Sequence, residues 1–188
     1  MSKIPSKYKD PVDNILLSLT ADNYLDHLYE LGVTPNMITT LSNILRLVSV
    51  YFLFNGKKGA FFIFFFLGYY FDVLDGYFAR RYKLFSEFGD FYDHFSDAIF
   101  GFVLVYYLFK WSSLSKTKYY WPVLIFYILT EILMFTNIGC VQKMSGSQTA
   151  ESQDMYKMMC IDPSWIQWTR YFGSGPSIIK TGILASIF

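Results

Sequence analysis

The sequence predicts an all-α, multi-pass transmembrane helical bundle of four to six spans, with an N-terminal interfacial amphipathic helix. Three observations predict it. Apolar residues make up 53% of the 188 positions and aromatic ones 21%. Charged residues are only 16%, against about 25% in ordinary soluble domains. Four apolar stretches of about 20 residues match a hydrocarbon core of about 30 Å at about 1.5 Å rise per residue. A net charge of +1 supplies no bulk field for nucleic acid, so membrane lipids are expected partners and nucleic acid is not.

Residues 1–12 read as a basic, proline-containing tail. They lack an apolar h-region, so no cleavable signal peptide is expected and the first span is expected to act as its own insertion signal. Residues 13–31 predict an interfacial helix or helix pair: Leu16, Leu17, Leu25, Leu28 and Leu31 form its apolar side, and Asp22, Asp26 and Glu30 its polar side. The stretch 20–23 is suited to break and recap it, and Gly32 to stop it. Residues 1–33 thus form the tail and interfacial helix, and 34–188 the membrane domain.

Span one has Thr34 as N-cap and Pro35 at its first helical position, a pre-organised start for residues 35–54. A turn at 55–58 leads to span two, residues 59–80, which ends in Arg80, Arg81 and Lys83. Span three is expected at 88–109 and span four at 119–140, followed by a polar, mobile loop at 141–163 centred on SGSQTAESQD. At the end, 165–172 is aromatic but interrupted by Arg170, and 175–188 is short for a fifth span. The membrane domain therefore reads as short at its C-terminus. With the N-terminus in the cytosol, cytosolic segments hold nine Lys and Arg and the opposite side five. That bias puts the junction of spans two and three in the cytosol. Cys140 and Cys160 fit no zinc spacing and are expected to be inert buried thiols rather than a disulfide.

Six acidic residues, Asp72, Asp75, Glu87, Asp90, Asp93 and Asp97, fall within 26 positions. An aspartate at the centre of a membrane helix costs about 2.5–3.5 kcal/mol, less near its ends. Carboxylates packed together also repel one another. A divalent cation removes both problems. Asp72, Asp75, Gly76 and Ala79 lie on one face of span two. Gly89, Asp93 and Asp97 lie on one face of span three. The short connection makes the two helices antiparallel neighbours, so the carboxylates converge at one depth, and hard oxygen donors point to Mg²⁺ or Mn²⁺. Gly76, Ala79 and Gly89 leave room for a ligand. Arg80, Arg81 and Lys83 at the mouth suit an anionic substrate.

The pattern Asp72-x2-Asp75-Gly76-x2-Ala79-Arg80-x8-Gly89-x3-Asp93-x3-Asp97 resembles the signature of the CDP-alcohol phosphotransferase family at every fixed position. Pro35-Asn36-x-Ile38-Thr39 resembles the opening of the first span in many members. The resemblance implies a six-helix membrane fold, a homodimer, a CDP-linked donor with an alcohol acceptor, and CMP as leaving group. It implies Asp72, Asp75 and Asp93 as metal ligands. Asp97 would be the general base, with a place on a second metal. Gly76 and Ala79 would admit the cytidine diphosphate, Arg80 would contact phosphate, and Gly89, Asn36 and Thr39 complete the expected substrate-binding set. CDP-diacylglycerol is favoured as donor over CDP-choline or CDP-ethanolamine, on the shortness of the chain.

Three other readings compete with this one. An inactive or scaffold-like member is suggested by the short C-terminus. A cation transporter would show inverted repeats, and none is found. A prenyltransferase would place its Asp-rich motifs on separated helices. Glu87 and Asp90 read as solvated loop charges, and His94 as a packing or interfacial histidine off the Asp93/Asp97 face. Arg46 and Glu131, both intramembrane charges, are expected to pair with each other or to line a substrate cavity.

Overall fold

This computed structural model describes residues 8–20, 22–145 and 156–188, and every regular element among them is helical. Most of the basic tail, residue 21 of the expected helix break and the centre of the polar loop lie outside the described residues. The chain divides into two compact units. Of the described residues, one holds Leu16–Ser115 with Thr181–Phe188, and the other holds residues 8–15 with Lys116–Lys180.

The predicted helix pair forms as α1 (Pro11–Ser18) and α2 (Asp22–Glu30). Gly32 ends α2 at φ 77°, and the Val33 N–H returns to the Leu28 carbonyl at 3.1 Å, a close that needs the left-handed region where glycine has no Cβ penalty. Among the described residues, four helices are long and apolar enough to cross a membrane. In the first unit these are α3 (Pro35–Phe54), α4 (Lys58–Tyr82) and α5 (Glu87–Tyr106), which continues through a π-helical turn, Tyr107–Trp111. The boundaries of α3 match the expected span because its start is local chemistry: Thr34 Oγ1 accepts from the Met37 N–H at 3.4 Å, with Pro35 behind it.

The polarity of α3 runs opposite to that of a soluble helix. Met37, Leu41, Ile44, Leu47 and Tyr51 are exposed, whereas Thr39, Ser42, Arg46 and Ser49 are buried. In a bilayer the apolar face meets lipid, and small or polar residues pack between helices. Ser42 Oγ donates to the Gly68 carbonyl at 2.9 Å. A Cβ on Gly68 would stand 2.9 Å from Arg46 Cγ and 3.4 Å from the Ser42 carbonyl oxygen. The bare glycine therefore sets how closely α3 and α4 cross.

In the second unit, α6 (Tyr120–Ser145) is the fourth span, followed by α7 (Ile166–Thr169) and the start of α8 (Ser174–Ile187). Here the expectation of two thiols is corrected. Cys140 and Cys160 form a disulfide with Cα atoms 5.1 Å apart, buried with Ile166. The chain at 156–160 returns onto the end of α6, which brings the Tyr156 carbonyl to 2.1 Å from where a Gly139 Cβ would stand. That return sets the pairing and is not written in the spacing of the cysteines.

Of the two alternatives for Arg46 and Glu131, pairing with each other is corrected: Arg46 meets Asp72 and Asp97 instead. Glu131 Oε1 accepts from Lys180 Nζ and from Ser177 Oγ, each at 2.6 Å. The same ammonium donates to Thr130 Oγ1 and sits 4.2 Å from the centroid of the Tyr127 ring. The acid of the fourth span is thus neutralised by a base within the second unit.

Candidate active site

The site is built on the facing stretches of α4 and α5, with α3 as its floor. Asp72 and Asp75 are one turn apart on α4, and Asp93 stands on α5. Each brings a carboxylate oxygen to within 4.8 Å of the others. The three carboxylates therefore converge as their helical faces predict. Ser86 starts α5 as N-cap, accepting from the Gly89 N–H at 3.0 Å. The helix entry, and so the register of Asp93 and Asp97, is fixed by this local bond.

Each carboxylate has a distinct set of neighbours. Thr39 Oγ1, buried on α3, donates to Asp75 Oδ2. Asp72 Oδ1 lies 2.7 Å from Arg46 Nη2. His94 Nδ1 lies 3.3 Å from Asp93 Oδ2, so the histidine expected to point elsewhere folds back on the preceding residue. Helical spacing alone cannot show such an adjacent contact. Asp93 Oδ1 is buried and has no hydrogen-bond partner among the described residues. A buried carboxylate oxygen without a donor is costly, and a cation beside two further carboxylates would satisfy it. The donor set is all oxygen, which fits Mg²⁺ or Mn²⁺ held by Asp72, Asp75 and Asp93.

Asp97 is placed differently. Its Oδ1 accepts from Arg46 Nη1 at 2.7 Å, and its side chain is 40% exposed. Arg46 itself is buried at 3% exposure and also lies 5.2 Å from the centroid of the Phe100 ring. The sequence offered Arg46 for a substrate cavity, but Asp72 and Asp97 were not foreseen as its partners. The available signal was its charge inside a span.

The remaining expected residues have definite places. The Arg80 guanidinium lies 3.2 Å from where a Gly76 Cβ would stand, so the bare Gly76 is a seat for Arg80. The Ala79 carbonyl accepts from the Leu84 N–H at 2.9 Å as α4 closes. A Cβ on Gly89 would meet Asn36 Oδ1 at 2.6 Å, so Gly89 lets the start of α3 approach the start of α5. Arg81, expected at the mouth, is taken by Asp22 and Asp26 of α2. Tyr82 also donates to Asp26, and that bond, with Arg81 beside it, holds the Asp26 carboxyl below its usual range. The clamp fixes α2 to the end of α4, stacking Tyr29 on Tyr82 at 4.3 Å between ring centroids.

The family model described as CDP-alcohol phosphatidyltransferase matches residues 32–159, which includes Asp72, Asp75, Asp93 and Asp97. No curated protein and no solved structure matches the chain.

Proposed function

The chain belongs to the CDP-alcohol phosphatidyltransferase family, and from that premise we propose that it transfers a substituted phosphate from a CDP-linked alcohol to an acceptor hydroxyl, releasing CMP, at the carboxylates of α4 and α5. The observation that carries this reading is the convergence of Asp72, Asp75 and Asp93 within 4.8 Å, on the two helices that hold the signature.

Asp72, Asp75 and Asp93 would hold Mg²⁺ or Mn²⁺, which when bound neutralises the donor diphosphate and the leaving CMP. Asp97 is the general base. Arg46 occupies its Oδ1, which leaves Oδ2 to take the acceptor proton. As the O–H bond breaks, the acceptor oxygen forms a bond to the β-phosphorus. The bond from that phosphorus to the bridging oxygen breaks, and its electron pair leaves with CMP. Gly76 and Ala79 keep bulk away from the cytidine diphosphate, and Arg80, one turn along the same helix, meets its phosphates. Asn36, Thr39 and Gly89 shape the floor of the site.

CDP-diacylglycerol is put ahead of CDP-choline and CDP-ethanolamine as donor. The Lys and Arg bias supports a site facing the cytosol, and family membership supports a homodimer. The test is CMP release by the purified protein in detergent with Mg²⁺, using these three donors against a panel of acceptor alcohols. Release with one donor–acceptor pair is expected and identifies the substrates. No release from any pair by folded protein would overturn the reading.

A further inference from the structure

Arg46 is the only charged residue of α3, and it is placed among residues that carry the opposite charge. Its two terminal nitrogens divide between two carboxylates: Nη2 meets Asp72 and Nη1 meets Asp97, each at 2.7 Å. Asp97 is absent from the trio that converges within 4.8 Å. We propose that Arg46 is a built-in second cation of this centre, positioning Asp97 and standing where a second divalent ion would otherwise bridge Asp97 to Asp72, so that the chain binds one ion. This deepens the proposed function and rests on it.

The charges support a single ion. Four ionised carboxylates carry four negative charges, and one divalent ion with Arg46 neutralises three. The one that remains suits a base. A second divalent ion between Asp72 and Asp97 would have to displace the guanidinium, which is almost fully buried. A buried charge that loses its partners costs several kcal/mol.

The seat is also built for this side chain. Gly68 leaves the space that Arg46 Cγ occupies, since a Cβ there would approach to 2.9 Å. The Phe100 ring lies 5.2 Å from the guanidinium carbon, a distance at which an aromatic face attracts a cation. The planar fork reaches two carboxylates at once, and it stays charged at every working pH. Arg46 Nε is buried with no hydrogen-bond partner among the described residues, so the side chain is oriented by the two carboxylates and not by its own full satisfaction.

The test counts ions and does not depend on turnover. Metal-stripped protein in detergent micelles is titrated with Mn²⁺, and bound ions per chain are counted by electron paramagnetic resonance of free Mn²⁺. One ion is expected for the wild type and for Arg46→Lys, which keeps the charge. Two are expected for Arg46→Met, returning to one when Asp97→Asn is added. Two ions in the wild type, or one in folded Arg46→Met, would overturn the proposal. If Arg46→Met does not fold, Asp97→Asn alone decides: it retains one ion if Arg46 is what Asp97 serves, and its loss of the ion would show that Asp97 ligates it. No ion bound by the wild type would overturn the metal-centre reading beneath, and this proposal with it.

Discussion

Arg46 Nη1 meets Asp97 Oδ1 at 2.7 Å, so the carboxylate assigned the acceptor's proton is held from α3, a helix outside the signature. The signature residues alone therefore do not fix the place of the proposed base. Its position depends on a buried arginine and on the glycine that makes room for it.

Asp97→Asn keeps the shape of the side chain and removes its basicity. CMP release is expected to fall about 10²–10⁴-fold, with the melting temperature in detergent close to that of the wild type. Activity within a few-fold of the wild type, measured on folded protein, would remove Asp97 from the role of base.

Gly68→Ala adds a methyl group 2.9 Å from Arg46 Cγ and 3.4 Å from the Ser42 carbonyl oxygen. Overpacking of this kind costs about 1–3 kcal/mol. The variant is expected to melt lower and to release CMP more slowly, because the strain acts on the arginine that holds Asp97. A variant equal to the wild type in both would show that the α3–α4 crossing has slack.

Asp10 provides a pH-dependent contribution to stability. Burial, with the charge of Asp13 nearby, pushes its carboxyl up to about 7, against the pull of the Val12 and Gly175 N–H groups that donate to it. A folded-state value above the ordinary 3.8 means that the native state binds the proton more tightly. Its contribution is then full at acid pH, declines as pH rises from about 4 to about 7, and is level above that. Melting of the wild type relative to Asp10→Asn is expected to show this decline. A difference that does not vary between pH 4 and 7 would contradict it.

Local chemistry was legible in the sequence. Thr34 and Pro35 fixed the start of α3, and the spacing of Asp72, Asp75 and Asp93 put them on facing helices, because caps and helical faces depend on residues a few positions apart. Long-range pairings were not legible. Arg46 turned to Asp72 and Asp97 because the Ser42–Gly68 contact sets the rotation of α3 against α4, and no periodicity encodes that rotation. Arg81 was expected at the substrate mouth, but Asp22 and Asp26, nearly sixty positions earlier, hold it. The Cys140–Cys160 bond was missed for the same reason, since it needs the chain to return onto α6.

That disulfide closes a sequence separation of 20 residues, for which the loss of unfolded-state freedom is worth about 3 kcal/mol. Reduction with dithiothreitol, or Cys140→Ser with Cys160→Ser, is expected to lower stability by about 3 kcal/mol and to lower the melting temperature accordingly. Melting insensitive to reductant, in protein whose mass shows that the bond was present, would mean that it adds little to the fold.

The carboxylates of α4 and α5 are proposed to form a cation-dependent phosphotransfer site. That proposal is tested most directly by CMP release from CDP-diacylglycerol, with the acceptor found active, in EDTA and after adding excess Mg²⁺ or Mn²⁺. EDTA is expected to stop release, either ion to restore it in the wild type, and neither to restore it in Asp93→Asn. Release that persists in EDTA, or a fully active Asp93→Asn, would contradict it.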